Sequence, residues 1–197
     1  MTAERAAQPQ VAWWQRRGTV AVMAVLAALV TIVVHGWRAD LLGAIVLAFA
    51  GVYLAVEDFS SHRLPNAVLA PTAIAVATHL TVLALTGDRF SDLLRAFVAA
   101  AACGAGYLVL ALARPTGLGM GDVKLGALLG LWLGWLGWGA VVLGVLAGFL
   151  LGGVAALALL ATGRATRRSA LAFGPWLLLG AAVASAVTVR MGDPLAW

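Results

Sequence analysis

Charge is what this chain has least of. Only 11% of its 197 residues are Asp, Glu, Lys or Arg, less than half the share in an ordinary soluble domain. Acids are scarcer still, eight against thirteen Lys and Arg. So few charges exclude a soluble globular protein and an intrinsically disordered one. There is one cysteine, Cys103, inside an apolar segment; neither an intrachain disulfide nor a CxxC zinc pair can form. No basic run with interleaved aromatics offers a nucleic-acid surface. No HExxH, GxSxG or phosphate-binding loop is present, and the three histidines do not cluster. No cofactor or metal is therefore expected. What the chain does have is 63% hydrophobic residues and a mean hydropathy of +0.99. Seven apolar segments of about 20 residues would occupy ~140 positions. The expected fold is an all-α, polytopic transmembrane helix bundle with about seven spans.

The spans are expected near 18–36, 41–58, 66–86, 92–113 and 170–190, with the long apolar stretch 122–163 split near Gly137-Trp138-Gly139 into a short and a long one. The segment after Arg16-Arg17 is as long as a span and more follow, so it reads as an anchor and not as a cleaved signal. Placing the N-terminus inside puts Arg5, Arg16, Arg17, Arg63, Arg114, Lys124, Arg164, Arg167 and Arg168 in the cytoplasm. Arg38, Arg89, Arg95 and Arg190 fall outside. That imbalance favours N-in, C-out. Trp13 and Trp14 fit the inner interface, and Trp37, Trp135 and Trp138 the outer one. The resulting organisation is a cytoplasmic tail (1–17), a first span with its outer loop (18–40), a core (41–190) and an outer tail (191–197).

Five of the acids need no special explanation: Glu4 lies in the tail, and Asp40, Asp88, Asp92 and Asp193 fall at outer ends or loops, where they are expected to be solvated. Glu57, Asp58 and Asp122 sit at the inner ends of spans, close to hydrocarbon, where an ionisable group is costly and marks a functional site. Asp58 and Asp122 share a side of the membrane although 64 positions separate them. Ala44, Ala48, Gly51 and Ala55 lie on the Asp58 face of one helix, and Gly126, Gly130 and Gly134 on the Asp122 face of the other. Two small-residue stripes of this kind permit close packing, and the expectation is that they pack on each other and pair the acids. Two carboxylates at one site ionise in coupled steps, so one holds a proton while the other is a base. That division of roles suits hydrolysis by an activated water. Glu57 points about 100° away from Asp58 and reads as an interfacial acid.

Three strings carry a resemblance: Asp58-Phe59-Ser60-Ser61-His62-Arg63-Leu64-Pro65-Asn66, then Gly119-Met120-Gly121-Asp122-Val123-Lys124-Leu125, then Phe173-Gly174-Pro175-Trp176. In this order, over about residues 41–190, they resemble the prepilin leader peptidase family, the GxGD-type intramembrane aspartic proteases. The resemblance implies that Asp58 and Asp122 are the catalytic pair in a six-helix core, with the first span an addition. It implies a pilin-like precursor as substrate, whose short basic leader is cut from a hydrophobic helix, usually after a glycine, in a bilayer beside a pilus assembly machinery. The methyltransferase region of the larger members is missing, so the chain resembles the short Tad/Flp-type peptidases and no methylation is expected.

The supporting residues have plainer readings beside the functional ones. Gly119 and Gly121 either form a turn or admit substrate backbone near Asp122. Pro65 suits a helix start, and Asn66 is an end group. Lys124 either snorkels to lipid phosphate or biases Asp122. Signal-peptide-peptidase and presenilin-like proteases share GxGD, but their Tyr-Asp is Glu57-Asp58 here and no Pro-Ala-Leu follows. A proton-coupled transporter would need polar residues along the whole bundle axis, and the span centres are apolar.

Overall fold

The computed structural model describes residues 13–113, 118–163, 172–193 and 195, with side chains described from Gly18 onward. The described residues form seven helices and no strand: α1 Trp13–His35, α2 Leu41–Ser61, α3 Asn66–Gly87, α4 Phe90–Ala113, α5 Met120–Leu136, α6 Trp138–Ala161 and α7 Gly174–Met191. Six are long and apolar enough to cross a bilayer, and the protein is a multi-pass membrane protein. The seventh, α5, is 17 residues long and has buried residues on every side. It is the short segment expected before Gly137, and α3, α4, α6 and α7 pack around it.

The breaks between helices have local causes. Gly36 (φ 64°) ends α1, and His62 (φ 51°) and Asp88 (φ 53°) end α2 and α3 in the left-handed conformation. Pro65 holds an extended backbone just before α3, as a proline at a helix start should. Gly137 separates α5 from α6 at φ 150°, and a Cβ there would run into the Asp193 carboxylate.

Glycines set the two tightest helix pairs. On α5, Gly126 lies under the Tyr107 ring, a Cβ at Gly130 would come 2.7 Å from the Ala99 carbonyl oxygen, and one at Gly134 would come 2.9 Å from the Ala96 Cα. The Gly126-Gly130-Gly134 stripe therefore packs on α4. This corrects the expectation that it packs on the α2 stripe: α2 and α5 have no close backbone approach among the described residues, and α3 and α7 lie between them. The glycines are wide enough gaps for a neighbouring backbone, and α4 fills them with Ala96, Ala99 and Ala100. Gly144, Gly148 and Gly152 of α6 do the same for α7, with Gly180 of α7 against the Gly148 backbone.

Asp58, Asn66, Asp122 and Gly174 share one end of the bundle. At the far end Asp40 corrects a second expectation. It is 1% exposed, not solvated. Its carboxylate accepts hydrogen bonds from Arg38 Nε (3.2 Å), Arg38 Nη2 (3.3 Å) and the Trp135 indole Nε1 (3.3 Å). Trp135 is correspondingly buried and takes no part in an interfacial belt, whereas Trp37 and Trp138 are exposed. Arg95 donates to the carbonyls of Gly134 (2.7 Å) and Trp135 (3.0 Å), capping α5. Arg190 caps α1 through Val33 (2.6 Å) and Val34 (2.9 Å). Arg89 and Arg95 both pair with Asp92. Each basic group here is placed where a helix C-terminus or an acid receives it.

Arg5, Arg114, Arg164, Arg167 and Arg168, together with Glu4, lie outside the described residues, as do the side chains of Trp13, Trp14, Arg16 and Arg17.

Burial alone would raise the Asp40 carboxyl, but the His35 and Arg38 side chains at its oxygens outweigh it and hold it below the ordinary aspartate value of 3.8. A carboxyl lowered by folding stabilises the fold above that value, and the contribution fades as acid protonates it. Asp40→Ala leaves the Trp135 N–H buried without its acceptor, and we expect a loss of about 1–3 kcal/mol, seen as a lower thermal midpoint in detergent at neutral pH. Acidification below 3.8 should narrow the gap between wild type and variant.

Candidate active site

Asp58 sits in the last turn of α2 and is 5% exposed. Its Oδ2 accepts a hydrogen bond from the backbone N–H of Gly174, at 2.9 Å. Gly174 opens α7 and Pro175 follows it, so this N–H is one of the amides a helix start leaves without an internal partner. The partial positive charge of that terminus favours an anion. On its own helix, the Asp58 carbonyl accepts the His62 N–H at 2.9 Å, which closes α2 directly behind the carboxylate.

Asp122 is the third residue of α5 and is 8% exposed. Its Oδ2 reaches back to accept the Gly119 N–H at 3.0 Å, the acid half of a capping box. Its Oδ1 is buried with no hydrogen-bond partner. Each aspartate thus has one oxygen tied to a backbone N–H at a helix start, and Asp122 turns its other oxygen into the interior. The two carboxylates lie within electrostatic range of each other. Gly174 sits at the junction. A Cβ there would come 2.8 Å from Asp58 Oδ2 and 3.6 Å from Leu125 Cδ2, one turn along α5 from Asp122.

The remaining motif residues form a bracket around α5. A Cβ at Gly121 would lie 2.8 Å from the Leu64 Cβ, so the missing side chain admits this chain's own Leu64. Lys124 Nζ donates to Asn66 Oδ1 at 2.8 Å, tying the first turn of α5 to the first residue of α3. Pro65, between Leu64 and Asn66, sets the turn. Lys124 is engaged with Asn66 and not with Asp122. Gly119 is exposed, has ordinary φ (−88°) and no crowding beyond Asp122; it contributes its N–H. Glu57 is half-buried and accepts from the Ser61 hydroxyl at 3.1 Å, away from the pair.

Three contributors were not legible as site residues. The Gly174 N–H stood in the sequence only as part of a string shaping the last span. The signal that could have found it is the Gly-Pro step, which marks a helix start and hence a free amide. Tyr107 packs over Gly126, within electrostatic range of Asp122, and stacks on Phe149 at 5.7 Å between ring centres; no local pattern announces it. Trp176 meets the Phe59 ring edge-on at 6.5 Å. Among the described residues no three His, Cys, Asp or Glu side chains converge as metal ligands.

The arrangement fixes two buried carboxylates, each held by a backbone amide at a helix start, at one end of a membrane bundle. Residues 44–157 match the family model described as the type IV leader peptidase family. The match includes both aspartate strings and the whole of α3–α5; α1 and the Phe173-Gly174-Pro175-Trp176 string fall outside it. No curated protein and no solved structure matches the chain. With more than half of its length matched and both aspartate strings inside the match, the chain belongs to the type IV leader peptidase family.

Proposed function

We propose that this peptidase-family member is an aspartic endopeptidase that removes the short basic leader from type IV pilin-like precursors of the Tad/Flp type, with Asp58 and Asp122 as its catalytic pair. The observation that carries this reading is the convergence of the three strings. Asp58 of the first is bound to Gly174 of the third, and Leu64 and Asn66 of the first brace Gly121 and Lys124 of the second.

In the reaction one carboxylate takes a proton from a water, whose oxygen attacks the scissile carbonyl carbon. The other carboxyl gives its proton to the carbonyl oxygen as the tetrahedral intermediate forms. Collapse breaks the C–N bond, and the leaving amine takes a proton from the pair. The Gly174 and Gly119 amides hold one oxygen of each aspartate still, which leaves the Asp122 Oδ1 to face water or substrate. Which aspartate acts as base is a property of the coupled pair. The substrate must present extended backbone, because a helix engages its carbonyls in internal hydrogen bonds.

The site is read as lying at the cytoplasmic face of the inner membrane, the C-terminus outside. At the far end, Arg38, Arg89, Arg95 and Arg190 are each engaged with an acid or a helix C-terminus. At the Asp58 end, Arg63 is exposed. Arginines that must sit on the disfavoured side are expected to be neutralised locally, which agrees with the bias of the remaining Lys and Arg. A basic leader then meets the site in the compartment where it is made.

Asp58→Asn and Asp122→Asn should each slow leader cleavage about a thousandfold or more while insertion persists. Co-expression with a pilin-like precursor, scored by gel shift and N-terminal sequencing, reads this out; unimpaired processing in both variants would defeat the assignment. Lys124→Met and Asn66→Ala remove the same hydrogen bond. Each should reduce kcat by up to about tenfold, equivalent to 1.4 kcal/mol, and the double variant should be no slower than the worse single one.

A further inference from the structure

Glu57 immediately precedes Asp58 in the last turn of α2 and stands about 100° round the helix from it. It is half-buried. The position is unfavourable for a carboxylate on three counts. A helix C-terminus carries partial negative charge, a second acid is the next residue, and hydrocarbon is close by. Nothing in the chain offsets this. The last turn of α2 holds no basic residue, and among the described residues Glu57 makes no ion pair. Its side-chain partner is neutral: the Ser61 hydroxyl donates to Oε1 at 3.1 Å, which leaves Oε2 open.

Cations are at hand and are directed elsewhere. Lys124 Nζ is taken by Asn66 Oδ1 at 2.8 Å, and Arg63 is exposed in the loop after α2. The far end treats its acids differently. There Asp40 is paired with Arg38, and Asp92 with Arg89 and Arg95. Glu57 is therefore an acid at the catalytic end that the aspartate pair does not use and that the described bases leave unneutralised. A cation supplied from outside the chain would complete it.

We propose that Glu57 receives a Lys or Arg side chain of the precursor's leader and so helps select which junctions reach Asp58 and Asp122. The inference rests on the leader-peptidase reading above, which supplies the basic leader. The Ser61 hydrogen bond holds the carboxylate in place, so pairing orders one fewer side chain. Adjacent Cα atoms are about 3.8 Å apart and an extended chain advances about 3.3–3.6 Å per residue, so a cation seated on Glu57 belongs to a leader residue within about three positions of the bond at the aspartates.

The test uses the full chain purified in detergent, where precursor insertion does not intervene, and a set of precursors sharing one junction and one apolar helix. Their leaders carry lysine, glutamine or glutamate at the positions next to the junction. Wild type should show a KM about fivefold lower for the lysine leader than for the glutamine leader, the scale of one partly exposed ion pair, with kcat little changed. Glu57→Gln, which keeps the shape and the Ser61 hydrogen bond, should lose that preference, and Glu57→Lys should prefer the glutamate leader. A Glu57→Gln variant that keeps the wild-type preference overturns the proposal. So does one that slows every precursor by the same factor, which assigns Glu57 to the ionisation of Asp58 and not to the leader, and so does a wild type indifferent to lysine and glutamine. If Asp58→Asn still cleaves, the leader-peptidase reading fails; if it is inactive and Glu57→Gln keeps the preference, only the Glu57 assignment fails.

Discussion

A carboxylate buried at the edge of hydrocarbon needs a donor, and the donor for Asp58 is a backbone amide 116 positions away. That single hydrogen bond joins the end of α2 to the start of α7. It requires α7 to begin at Gly174, because only a helix start leaves an amide free. It favours glycine there, because a Cβ would come 2.8 Å from the Asp58 carboxylate oxygen. Asp122 solves the same problem within one turn by capping its own helix through Gly119. The two solutions differ in range, and the difference decides what each acid depends on. Asp122 is oriented by local sequence, whereas Asp58 is oriented by the docking of α7.

The bundle around these acids is organised by the absence of side chains. Lipid offers no hydrophobic gain for bringing one apolar helix to another, so close contact depends on backbones approaching. α5 carries glycine at every fourth position on one face and presses that face into α4; α6 and α7 interlock through Gly144, Gly148 and Gly180. The result is a short central helix, enclosed by longer ones, with its first turn braced by Leu64 and Asn66. The central position of α5 explains why a 17-residue segment with buried residues on all sides is stable there.

The far end is a second polar system. Asp40, Asp92 and the arginines around them serve helix termini and the Trp135 indole. Together with Arg190 of α7 they fix the ends of α1, α2, α4, α5 and α7 relative to one another. Charge is scarce in this chain, and at this end it is spent on joints between helices.

Much of this molecule could be read from its sequence. Hydropathy set the number and approximate limits of the helices, including the division at Gly137, because a lipid-crossing segment must satisfy its backbone internally and has a length dictated by the bilayer. The rarity of acids singled out Asp58 and Asp122, since charge at membrane depth is too costly to be incidental. Partner choice was not legible. A small-residue stripe declares that some backbone can come close, but not which one, and both stripes next to the aspartates were matched with the wrong neighbour. Asp40 and Trp135 were likewise read as interfacial because their burial depends on two helices 95 positions apart in the chain meeting. Local chemistry thus determined the elements and the reactive groups. Only the tertiary arrangement decided which helices touch and which amide holds Asp58, because those depend on shape complementarity between segments that carry no mark of each other.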